Sequence, residues 1–97
     1  MDLIYHRLAV RDIQEIAQIH AEISEKVHEQ FWADLESALE MIRKHPGQHP
    51  DPKFPKMRRR NLKKFPFHII FEEHAGVVRV MVVRHHRRKD SFGMRRK

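Results

Sequence analysis

The sequence predicts an α+β fold in which an N-terminal strand and two helices precede a three-stranded antiparallel meander. Three observations support this fold class. Apolar residues recur at helical spacing between residues 13 and 42, residues 46–55 hold four of the five prolines, and residues 63–89 alternate in the manner of a β-hairpin. We expect both helices to cover one face of the sheet, leaving a basic face open as the working surface.

The first predicted elements are a short strand over residues 2–8 and a helix that follows it. Asp12 can cap this helix, with Glu15 three residues later as in a capping box. The following apolar positions have helical spacing and predict an amphipathic helix to about Glu25; they are Ile13, Ile16, Ala17, His20, Ile23 and Val27. A single histidine on such a stripe is typical of a packed residue, so we do not expect His20 to be a ligand.

A second helical pattern begins at Glu29 and ends at His45-Pro46-Gly47. Its apolar positions are Phe31, Leu35, Ala38, Leu39 and Ile42. Residues 24–28 contain neither proline nor glycine, so the sequence permits either one long helix or two antiparallel helices. Two helices are the more economical arrangement, because each apolar stripe can then pack on the sheet.

The proline-rich residues 46–55 are predicted to form an irregular loop that leads into a second strand over residues 56–62. His45 and His49 have the spacing of helical metal ligands, but Pro46-Gly47 is incompatible with a helix here. With no cysteine in the chain, we predict no metal site and no disulfide. Met57, Arg59 and Asn61 alternate with Arg58, Arg60 and Leu62, and the sequence leaves open which set faces the working surface.

The predicted hairpin turns at His74-Ala75-Gly76, where Gly76 can adopt a positive φ. Phe65, Phe67, Ile69 and Phe71 share one face of its first strand. In the second strand Val78, Val80 and Val82 are expected to meet the core, opposite Val77, Arg79, Met81, Val83 and His85. His68, Arg79 and His85 would then lie on the more polar face, where imidazole and guanidinium groups suit a phosphate.

The charge of the chain is divided unevenly between its halves. Residues 1–47 hold five Lys and Arg against nine Asp and Glu, whereas residues 48–97 hold fifteen against four, within a total of +7. Such a basic half points to a polyanionic or acidic partner. The 97 residues suffice for one domain, and the charged N-terminus and lack of a long apolar run favour a cytoplasmic protein without a membrane segment. Residues 90–97 form either a mobile tail or a segment docked on an edge strand, with Phe92 as its anchor.

In the second half, several short patterns occur in a recognisable order. They are Arg58-Arg59, Phe65-Pro66-Phe67, the apolar strand from Ile69 to Phe71, the valine-rich strand from Val77 to Val83, and His85 followed by Arg87-Arg88. Together with the length and the order of elements, this set resembles toxins of the RelE/ParE superfamily from bacterial type II toxin–antitoxin modules, often labelled plasmid stabilisation proteins. The resemblance covers nearly the whole chain, and it implies an antiparallel pair of helices and a cognate antitoxin, which we expect to be acidic.

The resemblance implies two functions on one scaffold. A RelE-like toxin cuts mRNA on the ribosome through attack of the 2′-hydroxyl on the adjacent phosphate, which needs acid–base groups and positive charge but no metal or cofactor. For that reading His85 is the expected acid or base, His68 is its counterpart, and Arg59 and Arg84 stabilise the charge.

The alternative is a ParE-like toxin that poisons DNA gyrase by binding the protein, without cutting nucleic acid. A decayed toxin that keeps only its antitoxin-binding surface is a third reading. In the first two readings the expected target-binding residues are Lys53, Lys56, Arg58, Arg60, Lys63, Lys64, Arg79, His86, Arg87 and Arg88. The convergence of His68 and His85 on one phosphate would favour the nuclease.

Overall fold

The computed structural model describes residues 1–47 and 56–97, and it confirms the predicted α+β architecture. The elements are β1 (Asp2–Tyr5), α1 (Arg7–Ile23), α2 (Glu25–Lys44), β2 (Arg58–Asn61), β3 (Phe67–His74) and β4 (Val77–His85). The sheet order is β1-β4-β3-β2. Strands β2, β3 and β4 form the antiparallel meander, whereas β1 lies parallel to β4.

The turn of the hairpin lies where the sequence predicts it. Ala75 and Gly76 connect β3 and β4 with φ values of 51° and 82°, as a two-residue turn of primed type requires. Glycine adopts this conformation freely, but Ala75 adopts it against the preference of its Cβ. The location of the turn sets the register of the whole hairpin.

Helix α1 begins earlier than the predicted capping box, which was wrong. The first strand ends at Tyr5 rather than at residue 8, and His6 is the N-cap, its Nδ1 accepting from the Leu8 N–H at 3.0 Å. Asp12 lies inside the helix and is buried. Its carboxylate accepts hydrogen bonds from Val83 and Arg96, which are distant in the sequence, instead of capping the first turn of α1.

The chain forms two helices, and the break between them is a single serine. Ser24 is extended, with φ −170° and ψ 159°, and its Oγ accepts from the Val27 N–H at 3.0 Å. Helix α2 therefore begins at Glu25, four residues before the predicted Glu29. A capping hydroxyl is enough to start the second helix without proline or glycine. Neither helix has a stretch long and apolar enough to cross a membrane.

The two helices and one face of the sheet enclose the main core. Its buried members include Ala9, Ile13, Ile16, Ala17, Phe31, Leu35, Ala38, Ile42, Leu62, Ile69, Phe71, Val78, Val80 and Val83. His20 belongs with them, as predicted: its ring stacks on Phe31 with centroids 4.7 Å apart, and its Nδ1 lies 2.7 Å from the Ile16 carbonyl oxygen.

A β-bulge changes the predicted faces of β4. Ile70 pairs with Val82 and Phe71 pairs with Val80, which leaves Met81 without a partner. Beyond this point the alternation is reversed, so Val83 rather than Val82 joins the main core. The expectation that His85 shares a face with His68 was therefore wrong, because His85 now lies opposite Phe67 on the helix side.

The face of the sheet opposite the helices is not open, contrary to the prediction. Ile70, Met81 and Val82 form a second buried cluster against which Met57, Phe92 and Met94 pack. The segment 90–97, which we call the C-terminal strap, lies on this face along the part of β4 beyond Val80, where β1 is no longer a neighbour. A Cβ on Gly93 would lie 2.6 Å from Val82 Cγ2, so the backbone of the strap meets the sheet closely.

An ion pair fixes the far end of the strap beside β4. Arg96 Nη1 and Nη2 donate to the two carboxylate oxygens of Asp12 at 2.6 and 3.0 Å, and Nη1 also donates to the Met81 carbonyl at 2.9 Å. Asp12 Oδ2 additionally accepts from the Val83 N–H at 3.0 Å. These groups lie just past Val80, where the pairing of β1 with β4 ends.

Candidate functional site

The structure brings together three of the four predicted catalytic residues and leaves out the fourth. Arg59, His68 and Arg84 lie on the strap side of the sheet, because Arg59 pairs with Ile70 and His68 pairs with Arg84. His86, which was predicted only as a target-binding residue, joins them. Successive hydrogen bonds join Arg84, His68 and His86, and we call this chain of three side chains the relay.

The hydrogen bonds of the relay have a direction that its arginine determines. Arg84 Nε donates to His68 Nε2 at 2.8 Å, and an arginine remains protonated in proteins. His68 Nε2 must therefore accept this hydrogen bond, so a neutral His68 carries its proton on Nδ1. This N–H donates a hydrogen bond to His86 Nδ1 at 2.9 Å. The two imidazoles are stacked with centroids 5.1 Å apart, and Arg59 Nη2 lies 3.4 Å from the same His86 nitrogen.

The surroundings of the relay lower the pKa of both histidines. His68 is only 1% exposed, and burial lowers its pKa to about 3, with further lowering by the positive charges of Arg59 and Arg84. Burial also lowers the pKa of His86, and the charge of Arg59 acts in the same direction. With both ring nitrogens occupied, His68 is poorly suited to exchange protons with a substrate.

His85 lies on the helix side of β4 and does not meet His68, although its ring contacts that of His86 edge-on with centroids 6.4 Å apart. Its ring is half-buried and packs edge-on against Phe67, with centroids 5.1 Å apart. Its Nδ1 accepts from the Arg87 N–H at 3.0 Å, which leaves Nε2 as its second polar atom. The bulge at Met81 thus separates the two histidines that the nuclease reading requires to act together.

Two loops at one end of the sheet present cations to solvent. Asp34 is buried on α2 and accepts from the N–H groups of Lys63, Lys64 and Phe65 at 3.1, 2.9 and 2.9 Å. The second loop follows β4 and joins the first, since His86 N–H donates to the Pro66 carbonyl at 3.0 Å. We call five of the exposed residues of these loops the basic end; they are Lys63, Lys64, His86, Arg87 and Arg88.

The other predicted target-binding residues do not belong to this surface. Arg58 is half-buried and donates to the Gly47 carbonyl at 3.1 Å, while Arg60 pairs with Ile69 on the helix side. Arg79 lies opposite Glu72, and Lys56 borders a cleft with Glu72 near the hairpin turn. Lys53 lies outside the described residues. The predicted set is therefore distributed around the sheet.

A cleft that the sequence did not reveal runs between α1, the end of β4 and the strap. Its volume is about 330 Å³, and its apolar walls include Ile16, Ile19, Phe67 and Phe92. His85 and Arg88 border it. Ile19 is 58% exposed and Ile23, one turn further along α1, is 66% exposed, so the apolar surface continues along the helix. One feature of the sequence indicated such a cleft: the apolar residues of α1 cover more of the helix surface than a single core can bury.

The described ranges contain no group of three or more His, Asp or Glu side chains that could hold a metal ion. Of the two spaced histidines, His45 is the C-cap residue of α2, and His49 lies outside the described residues.

Comparisons with known proteins agree with this architecture. The family model for the ParE toxin of the type II toxin–antitoxin system parDE matches residues 3–90. A solved structure described as the chromosomal ParDE TA system from P. aeruginosa is similar, with a TM-score of 0.76 and 17% identity over 88% of this chain and 95% of that chain. At this identity the likeness concerns the fold. None of the curated protein sequences compared with the chain matches it significantly.

Proposed function

Because the chain belongs to the ParE toxin family of type II toxin–antitoxin systems, we propose that it is the toxin of such a module and that it acts on DNA gyrase by binding the protein. The family match over residues 3–90 is the observation that carries this proposal. Gyrase binding was the alternative reading of the sequence, and it now takes precedence over the RelE-like nuclease.

The geometry of the histidines supports a binding toxin. RNA cleavage requires a base near the 2′-hydroxyl, an acid near the leaving oxygen and positive charge on the phosphate between them. His68 has both ring nitrogens occupied and a pKa of about 3, and His85 lies on the other side of the strand. Arg84 is 2% exposed and donates to the strap carbonyls of Asp90 and Phe92 at 2.8 Å. Its hydrogen bonds serve to hold the strap.

Purified gyrase provides the direct test. Relaxed plasmid DNA is incubated with gyrase and ATP, with and without the toxin, and both supercoiling and protein-linked DNA breaks are measured. We expect the toxin to inhibit supercoiling and to accumulate breaks that appear after protease treatment. Supercoiling at the control rate with a folded toxin would contradict the proposal.

A parallel experiment addresses the nuclease reading. Primer extension on a defined mRNA in a bacterial cell-free translation system compares the wild type with His85→Ala. We expect intact mRNA with both proteins. Codon-phased breaks that require ribosomes and disappear in His85→Ala would instead establish a ribosome-dependent ribonuclease with His85 at its centre.

Membership of the family implies a cognate antitoxin, and the cleft beside α1 suits an amphipathic acidic segment of such a partner. Its apolar walls would receive aliphatic side chains, while Arg88 and His85 at its border would meet carboxylates; Glu15, which also lines it, is paired with Arg11. We expect Ile19→Gln to weaken antitoxin binding about tenfold, and Val10→Gln, at an exposed site of α1 outside the cleft, to leave it unchanged.

Association with the antitoxin should also depend on salt, because opposite charges on the two partners accelerate their encounter. Stopped-flow mixing in dilute buffer and in strong salt would measure this effect. Equal association rates under the two conditions would contradict an acidic partner.

A further inference from the structure

We propose that the basic end is a preorganised docking surface for carboxylate groups on the target protein. The inference rests on the proposed action on gyrase and adds the surface through which the toxin makes contact. It concerns exposed side chains of two loops, 63–66 and 86–89, which the fold holds beside each other.

The first argument is that buried groups hold both loops in place. The Asp34 carboxylate accepts three successive N–H groups of the first loop, all at 3.1 Å or less. The relay fixes the His86 side chain of the second loop, and the His86 N–H bond to Pro66 joins the loops. Loops held in this way lose little conformational entropy when a partner binds.

The second argument concerns charge. Within the described ranges, neither Lys63, Lys64 nor Arg87 forms a salt bridge, and Arg88 packs over the Phe92 ring at 4.3 Å to its centroid. The segment 61–66 contains no acidic residue, and Asp90 is the single one in residues 85–97. The four cations of the basic end thus face solvent together, and none of them is neutralised by a salt bridge within the described ranges.

The third argument favours protein over nucleic acid as the occupant. Surfaces that bind single strands present aromatic rings on which bases stack, but Phe65 in the first loop turns inward against Phe31, with centroids 5.8 Å apart. The second loop contains no Phe, Tyr or Trp. Four cations on a duplex would release few counterions, so they would give only weak binding. Two lysines and two arginines beside each other match a cluster of Asp and Glu side chains on a protein surface.

Binding of the toxin to immobilised gyrase holoenzyme tests the surface. Lys63→Gln/Lys64→Gln removes two charges from the basic end and leaves the backbone bonds to Asp34 intact. Lys26→Gln/Lys44→Gln is the matched control, since it removes two charges from exposed positions on α2. We expect the first variant to associate about tenfold more slowly than wild type in dilute buffer, and the control to change less than about twofold.

Asp34→Asn separates preorganisation from simple attraction. It makes the toxin more positive, so long-range attraction alone predicts faster association with an acidic target. Loss of one carboxylate oxygen as acceptor loosens the first loop, however, and we expect weaker binding. A circular dichroism melt confirms that the variant is folded, and the lysine variants test the surface independently of it.

The outcomes distinguish this inference from the proposed function. If wild-type toxin does not bind gyrase, the proposed function fails. If it binds and both double variants behave alike, the basic end is not the docking surface. If Lys63→Gln/Lys64→Gln loses affinity for a DNA duplex but not for DNA-free gyrase, the surface binds nucleic acid and the inference is wrong. Asp34→Asn binding as well as wild type would overturn preorganisation.

Discussion

The helix-covered face of the sheet and its strap-covered face are both buried, but by different means. On the helix side, aliphatic and aromatic side chains such as Phe31, Leu35 and Val80 exclude water over a large area. On the strap side, three buried apolar residues are accompanied by the relay and by hydrogen bonds from Arg84 to the backbone of the strap. The stability of the helix side depends on buried apolar area, which is not directional and tolerates small shifts of the side chains. The stability of the strap side depends on the distances and angles of hydrogen bonds.

The largest expected effect is on the helix side. Val80→Asp would bury a carboxylate without a partner, and we expect it to lower the free energy of unfolding by about 4 kcal/mol or more. Urea denaturation followed by circular dichroism measures the change. Ile19→Asp, at an exposed position of α1, is the control and should change stability by about 0.5 kcal/mol or less. Equal losses in the two variants would contradict the assignment of Val80 to the core.

Close contact on the strap side can be tested with two glycines of similar conformation. Gly93 and Gly76 have φ values of 78° and 82°, but only a Cβ at Gly93 would meet other atoms, at 2.6 and 2.9 Å from Val82. We expect Gly76→Ala to lower the free energy of unfolding by about 1 kcal/mol through backbone strain and Gly93→Ala by about 3 kcal/mol through strain and overpacking. Thermal melts of the two variants give the comparison. Indistinguishable melting temperatures would mean that the strap does not rest on the sheet in solution.

The polar character of the strap side predicts a dependence on pH. The pKa of His68 falls to about 3 in the folded protein, whereas an unfolded histidine titrates near 6.5. Below about pH 6.5 the unfolded chain therefore binds a proton that folded His68 does not, and stability falls as the pH falls towards 3. Between pH 7 and pH 5 we expect this group to account for a loss of about 2 kcal/mol.

Urea denaturation at both pH values isolates the contribution of His68. The amide of His68→Gln can accept from Arg84 and donate to His86, yet it does not titrate. Its stability should fall less between pH 7 and pH 5 than that of the wild type. Equal losses of stability in the two proteins would show that folded His68 takes up a proton between pH 7 and pH 5, as the unfolded chain does.

The smallest expected effect concerns the hairpin turn, which belongs to neither face. Ala75 has φ 51°, a conformation that asparagine tolerates better than alanine. Ala75→Asn should raise the free energy of unfolding by about 0.5 to 1 kcal/mol, seen as a higher melting temperature. A lower melting temperature would indicate that the turn has another geometry.

The order of the elements and the position of the turn could be predicted from local patterns, because alternation, helical spacing and turn glycines act over a few residues. The faces of β4 could not. The bulge at Met81 has no proline or glycine to mark it, and it reverses the side chains that follow, including His85. Two helices were the favoured arrangement, but the position of the break between them stayed open for a similar reason, since Ser24 is an ordinary polar residue until its hydroxyl caps a helix.

The candidate site depended even more on contacts that are distant in the sequence. Asp12 has the spacing of a helix cap, but Arg96, a residue 84 positions away, decides its role. The pairing of His68 with His86 likewise depends on the register that the bulge creates. Arginines could be assigned to the basic half from composition, whereas their grouping required the fold.

The ion pair of Asp12 and Arg96 has a consequence for how copies of the chain behave towards one another. A strand that continues past its last neighbour presents free N–H and C=O groups, and such groups invite another molecule to add a strand. Here Asp12 accepts the Val83 N–H, and Arg96 donates to the Met81 carbonyl. An approaching chain finds the Val83 N–H and the Met81 carbonyl already occupied and a guanidinium in its path. The pair therefore keeps this stretch of the sheet from seeding intermolecular aggregation.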